Sequence, residues 1–177
     1  LDRGKPGDED ARLLLRIAGQ LPEAAQIPAA RLELLAGFTH TDTAGGPGRL
    51  QRGLRRLARA SLVETLQADG LRLHPLVREF AESKTAAADT ATFRSACTFS
   101  LLDAYQDVTE LEQQCARRGV NALEADLRTA LYLLPAAEDA QPYRTMLRQL
   151  LRMLKHESHV LRGWHPLQQP ALFLQQW

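Results

Sequence analysis

The hydrophobic positions change their period along the chain, and each change marks an element. Leu14, Ile17, Ala18 and Leu21 recur at three and four residues, the spacing that lines one helix face. This predicts a first helix ending near Gln20, with Asp8, Glu9 and Asp10 suited to its N-terminus. Residues 1–7 read as a linker. Pro22 breaks the pattern, and Pro28 opens a short second helix with Leu32 and Leu35 inward and Gly37 placed to end it in a left-handed conformation. Four glycines and a proline between Gly37 and Gly48 predict a loop. A third helix follows from about Arg49 to Ala60. Leu50, Leu54 and Leu57 form its narrow apolar face, and Arg49, Arg52, Arg55, Arg56 and Arg59 fall on the other side with no acid among them.

The period then shortens. Leu62 to Leu66 and Leu71 to Leu73 are apolar runs of strand length, separated by a segment that ends in Asp69-Gly70, a strong hairpin signal. Pro75 is suited to the first position of a helix, where its missing N–H costs nothing, and Leu76, Val77 and Phe80 are its predicted core face. Three helices, a hairpin and a return helix predict a winged-helix domain over residues 8–84.

From Lys84 to Thr92 the chain is rich in Ala and Thr and reads either as helix continuation or as linker. Beyond it, Phe93, Cys97, Leu101, Ala104, Val108, Leu111 and Cys115 step by three or four, which predicts one long helix closed by Gly119. Asn121 and Glu124 have the spacing of a capping box ahead of Leu123, Leu127, Leu131 and Leu134, and Pro135 stops that helix. Another starts near Pro142 and runs to about Leu161. Residues 164–177 are proline-spaced and end in the apolar ALFLQQW, expected to pack against whatever follows it. No fixed repeat period emerges, so residues 85–177 read as a helical arm built as a bundle. The predicted fold class is mainly α: a winged helix followed by a helical bundle.

Composition agrees with that class, since hydrophobic residues make up 45% of the 177 residues but aromatics only 6%. Leu and Ala favour helices over sheets. The net charge of +1 confines any nucleic-acid reading to a local patch. Cys97 and Cys115 are too few and too far apart for a disulfide framework or a zinc site, and read as reduced, buried thiols of a cytoplasmic protein. No run of 18 apolar residues suggests a membrane span. The first residue is Leu1, without a methionine, and the expectation is a piece of a larger protein.

Catalytic motifs are absent from the sequence. It holds no GxxxxGK[ST], no nucleophile elbow and no carboxylate pair with a supporting histidine, so the chain itself is not expected to be an enzyme. His156, Glu157 and His159 spell HESH, whose histidines are three apart rather than the four of a zinc-protease helix, and read as a solvated face. Two constellations carry more. The five arginines of the third helix stand where a winged helix reads DNA, and could contact phosphates or guanine edges. His74, at the junction of strand and helix, is either a residue that satisfies nearby backbone groups or a donor to a bound phosphate.

The order RLQRGLRRLARASLVE, a short turn, then GLRLHPLVREFA closely resembles the winged-helix domain of STAND-class NTPases, the NB-ARC group. There a Met-His-Asp type motif stands where Leu73, His74 and Pro75 stand here. The resemblance implies that His74 contacts the β-phosphate of ADP and helps to hold a closed, inactive state, whereas Pro75 leaves the family's aspartate without a counterpart. The later segments LRTALYLLP and LRQLLRMLKHESHVLRGWHPLQQPALFLQQW resemble the helical connector that leads to a WD-repeat propeller in bacterial members. By that resemblance the chain is a regulatory fragment of a bacterial signalling ATPase. Its partners are an upstream nucleotide-binding domain, which supplies the P-loop and Walker B residues and takes ADP or ATP with Mg, and a downstream repeat domain. Homo-oligomerisation accompanies activation. The fragment holds no cofactor or metal of its own. The alternative is a DNA-binding transcription regulator that reads duplex DNA through Arg49, Arg52, Arg55, Arg56 and Arg59.

Overall fold

The computed structural model describes residues 4–22, 26–38, 48–67, 70–84, 87–106 and 108–163. Over these the protein is mainly helical with one small sheet, and it divides into two compact units, Leu1–Ser100 and Leu101–Trp177. The predicted loop at 39–47, the tip of the hairpin at 68–69 and the terminal apolar stretch lie outside the described residues.

In the first unit the elements run α1 (Pro6–Gln20), β1 (Ile27–Pro28), α2 (Ala29–Leu35), α3 (Arg49–Arg59), β2 (Thr65–Gln67), β3 (Gly70–Arg72) and α4 (Pro75–Ser83). Helix α1 begins within the expected linker because Pro6 occupies its first turn, where proline is favoured. Its stripe of Leu14, Ile17, Ala18 and Leu21 is at most 1% exposed, and it packs against both α3 and α4. The approach of α3 is close at Gly53, where a methyl group would lie 2.6 Å from Leu14 Cδ1 and 3.1 Å from the Asp10 carbonyl carbon.

The sheet order is β1-β3-β2, with both pairings antiparallel. Strand β1 was not legible in the sequence: two residues give no alternation, and Pro28 argues against a strand. It forms because Ile27, fully buried, pairs with Leu71. Strand β2 is also shorter than predicted, while β3 keeps its predicted three residues and starts one earlier, at Gly70. Leu62 is not in β2 because its N–H bonds to the Leu57 carbonyl, and that of Ser61 bonds to Ala58, the Schellman closure of α3. Helix α2 closes the same way, with Phe38 N–H on Glu33 and Gly37 N–H on Leu34. Gly37 takes the left-handed position at φ 63°, as expected, while α3 puts Ser61 there at φ 56°.

The core face assigned to α4 is corrected. Leu76 is 68% and Phe80 51% exposed, whereas Ala81 is buried. Ala81 packs against Gly19 of α1, and this turns the Val77–Ala81 side inward. Leu76 and Phe80, one position round the helix, face outward.

Helix α5 (Ala87–Gln106) begins before Phe93 and makes residues 87–92 of the ambiguous segment helical; residues 85–86 lie outside the described residues. The division between the two compact units falls at Ser100/Leu101, inside α5. The first half of α5 belongs to the first unit through the Arg16 guanidinium stacked 3.8 Å over the Phe93 ring and through Arg94 Nε–H donating to Gln20 Oε1 at 2.8 Å. Helix α6 (Val108–Arg118) follows α5 along the predicted helical stretch, and residue 107 between them lies outside the described residues. Helices α7 (Val120–Leu133) and α8 (Gln141–Leu161), joined through a 3-10 turn at Glu138–Ala140, pack on each other. The expected capping box does not form. Helix α7 starts two residues earlier, from an N-cap at Gly119 with φ 77° and no side-chain cap, and Asn121 Oδ1 accepts instead from Arg162 at 3.3 Å.

Both cysteines are buried and free. Burial pushes the Cys97 thiol up to about 12 and the Cys115 thiol up to about 11, which keeps both protonated and unreactive. Among the described residues no helix is long and apolar enough to cross a membrane.

Candidate functional site

Strand β3 ends at Arg72, Leu73 buries its side chain, and His74 follows in extended conformation (φ −62°, ψ 139°) as the N-cap of α4. The local chemistry of that cap is complete. Pro75 brings no N–H, the Leu76 N–H donates to His74 Nδ1 at 3.2 Å, and the Val77 and Arg78 N–H groups donate to the His74 carbonyl at 2.9 and 3.1 Å. No backbone donor of this helix start is left over for an anion. The ring decides what remains. Accepting a hydrogen bond at Nδ1 places the neutral ring's proton on Nε2, and His74 is exposed, so Nε2–H is a donor held at the start of a helix.

The surroundings of His74 are mixed in charge. A shallow recess of about 260 Å³ beside it is lined by Arg72, Arg78, Glu79 and Glu82. Arg78 Nη1 donates to the Leu21 carbonyl at 2.6 Å, closing the C-terminal end of α1, and Arg72 pairs with Glu64 at 3.3 Å. Both recess arginines are therefore engaged within the unit.

The five arginines of α3 separate into two groups. Arg49 Nη2 lies 2.9 Å and Arg52 Nη2 3.6 Å from the carboxylate of Asp10, and Arg56 forks onto both oxygens of Asp8. The two acids are almost fully buried, at 2% and 3% exposure. Arg55 and Arg59 are exposed. Asp8 and Asp10 are legible in the sequence as acids at a helix N-terminus, but not as partners of α3; the signal for that is the i, i+3, i+7 spacing of Arg49, Arg52 and Arg56 opposite an Asp-x-Asp pair.

A second polar cluster went unforeseen. In the second unit, Asp126 of α7 is fully buried and its Oδ2 accepts from the Tyr105 hydroxyl at 2.6 Å and from Arg118 Nη2 at 2.7 Å. Burial, then the Asp126 charge, pushes the Tyr105 hydroxyl well above the ordinary tyrosine range. Arg118 Nη1 donates to Gln114 Oε1 at 3.2 Å, and Gln114 Nε2–H to Glu110 at 2.8 Å, so one network ties α5, α6 and α7 together. Within HESH, His156 Nδ1 lies 2.5 Å from Glu157, and His159 Nδ1 lies 3.0 Å from the His156 carbonyl. Among the described residues no group of three or more His, Cys, Asp or Glu side chains is placed to hold a metal.

Comparison of the chain with family models, curated proteins and solved structures returned no match.

Proposed function

We propose that the chain is the regulatory part of a bacterial STAND-type signalling ATPase, in which a winged helix stabilises an ADP-bound closed state and a helical arm couples it to a repeat sensor. The carrying observation is His74. Its ring caps α4 through Nδ1 and keeps Nε2–H as an exposed donor, the arrangement required of a residue that reports on a phosphate through one contact. The element order of the first unit and its β1-β3-β2 sheet support the winged-helix reading. The nucleotide, with Mg, is held by an upstream domain of the same polypeptide, and the contact from His74 biases a domain equilibrium that nucleotide exchange releases. Homo-oligomerisation follows from the open state.

The reading is preferred over duplex recognition because Arg49, Arg52 and Arg56 spend their charge on Asp8 and Asp10. A recognition helix needs that charge for phosphates. The test is His74→Ala in the polypeptide that carries this chain with its nucleotide-binding region, with co-purifying ADP measured by mass spectrometry. ADP is expected in the parent and lost from the variant. Unchanged nucleotide content and oligomeric state, or an upstream region without a P-loop, would overturn the proposal.

A further inference from the structure

A groove of about 380 Å³ runs along the first unit between α1 and α4. Its apolar surface comes from Leu15, Leu62 and Phe80, and its charged surface from Arg12, Arg16 and Lys84; among the described residues no carboxylate lines it. The placement follows from the packing already described. Arg12, Leu15 and Arg16 share one face of α1 at i, i+3 and i+4, and Phe80 and Lys84 share one face of α4 at i and i+4. The close seat of Ala81 on Gly19 brings those faces side by side. Leu76, one turn before Phe80 and 68% exposed, extends the apolar strip.

Two of the cations are held in place. The Arg16 guanidinium is stacked on the Phe93 ring at 3.8 Å. Lys84 Nζ sits 5.1 Å from the centre of the Phe80 ring, beside the apolar strip rather than away from it. Cations fixed in this way lose little freedom when they meet an anion.

We propose that this groove is a docking site for an acidic amphipathic helix of a partner protein, which lays two large apolar side chains at i and i+4 over Leu15, Leu62 and Phe80 and sets flanking carboxylates against Arg12, Arg16 and Lys84. The groove opens to solvent between two helices, the form taken by helix-in-groove recognition. Its uniform positive charge selects the sign of the partner. The site is separate from His74 and does not depend on the nucleotide reading.

The test uses the 177-residue chain and a fluorescein-labelled helical peptide with Leu and Phe at i and i+4 and Glu at the flanking positions, read by fluorescence anisotropy. A second peptide has Lys in place of Glu, and a third has Ala in place of the anchors. Saturable binding of the first is expected, with affinity lower by about tenfold or more for either of the others. Phe80→Ala and Lys84→Glu change exposed side chains, so both variants keep the parental circular dichroism. Each weakens the acidic peptide by about tenfold, and Lys84→Glu narrows the gap between the acidic and basic peptides. Equal binding of the two charged peptides, no binding of any, or affinities that neither substitution moves would overturn the proposal. So would self-association of the chain, seen by sedimentation and abolished by Phe80→Ala, because the occupant would then be a second copy.

Discussion

Both units bury carboxylates against arginines, but they do so on different terms. At the α1–α3 contact Asp8 and Asp10 are buried while Arg49, Arg52 and Arg56 each keep about 40% of the side chain in water. In the second unit Asp126 is wholly buried and Arg118 only 14% exposed. A guanidinium that remains hydrated loses little when its partner is removed, whereas one confined in a low-dielectric interior has nothing to replace it. The first cluster thus distributes charge over three replaceable contacts, and the second concentrates it in one that is hard to replace.

Asp126→Ala is the harshest way to probe that difference. It strands Arg118 and removes the acceptor of the Tyr105 hydroxyl, and it should cost about 3–5 kcal/mol. Denaturant unfolding followed by hydrogen exchange should show the loss confined to α5–α7. If Asp126→Ala cost no more than Asp8→Ala, the two clusters would be energetically equivalent.

Raising the pH acts on the same comparison. Cys97, Cys115 and Tyr105 all have folded values above their ordinary ones. The protonated forms are therefore favoured by folding, and their contribution is fully present below the unfolded values. It is lost as pH rises, from about 9 for the thiols towards about 11 for Cys115 and about 12 for Cys97. Two of the three groups lie in the second unit, so hydrogen exchange protection should fall there first between pH 9 and 11. Neither thiol should react with an alkylating reagent in the native protein at neutral pH.

Asp8→Ala should cost less, about 1–2 kcal/mol, because Arg56 can return to water. A screened, half-exposed pair should also weaken with salt, so the penalty measured by urea unfolding should shrink at high ionic strength.

The smallest expected effect has the opposite sign. The Schellman closures of α2 and α3 differ in having Gly37 and Ser61 at the left-handed position. Ser61→Gly removes the Cβ penalty and should stabilise by about 0.5–1 kcal/mol. Thermal unfolding would register this as a higher midpoint, and a lower one would show that the Ser61 side chain makes up for its conformation.

These expectations rest on features of uneven legibility. The stripes of α1 and α3, the Gly37 end of α2, the proline starts of α4 and α8 and the two buried thiols could all be read from the chain, because each depends on residues within one or two turns of each other. His74 could be read as a candidate, but not its cap. That depends on the ring turning back onto Leu76 N–H, and it leaves one nitrogen for other uses. The outward turn of Leu76 and Phe80 was misread for a related reason: on a nine-residue helix, apolar residues occupy more than one face, and only the seat of Ala81 on Gly19 decides which is buried.

By itself, then, the sequence determined a mainly helical chain with a hairpin ahead of a proline-started helix, a basic third helix and a lone histidine at a junction. Those properties are set by backbone preference and period, which act locally. Tertiary structure decided that Asp8 and Asp10 engage three of the five arginines, that Ile27 and Pro28 add a third strand, that Tyr105, Arg118 and Asp126 share one buried bond network, and that Arg12, Arg16 and Lys84 gather around Phe80. Such contacts join residues 8 to 72 positions apart, and no local preference encodes which distant partner a side chain will meet until the packed core has fixed the helices face to face.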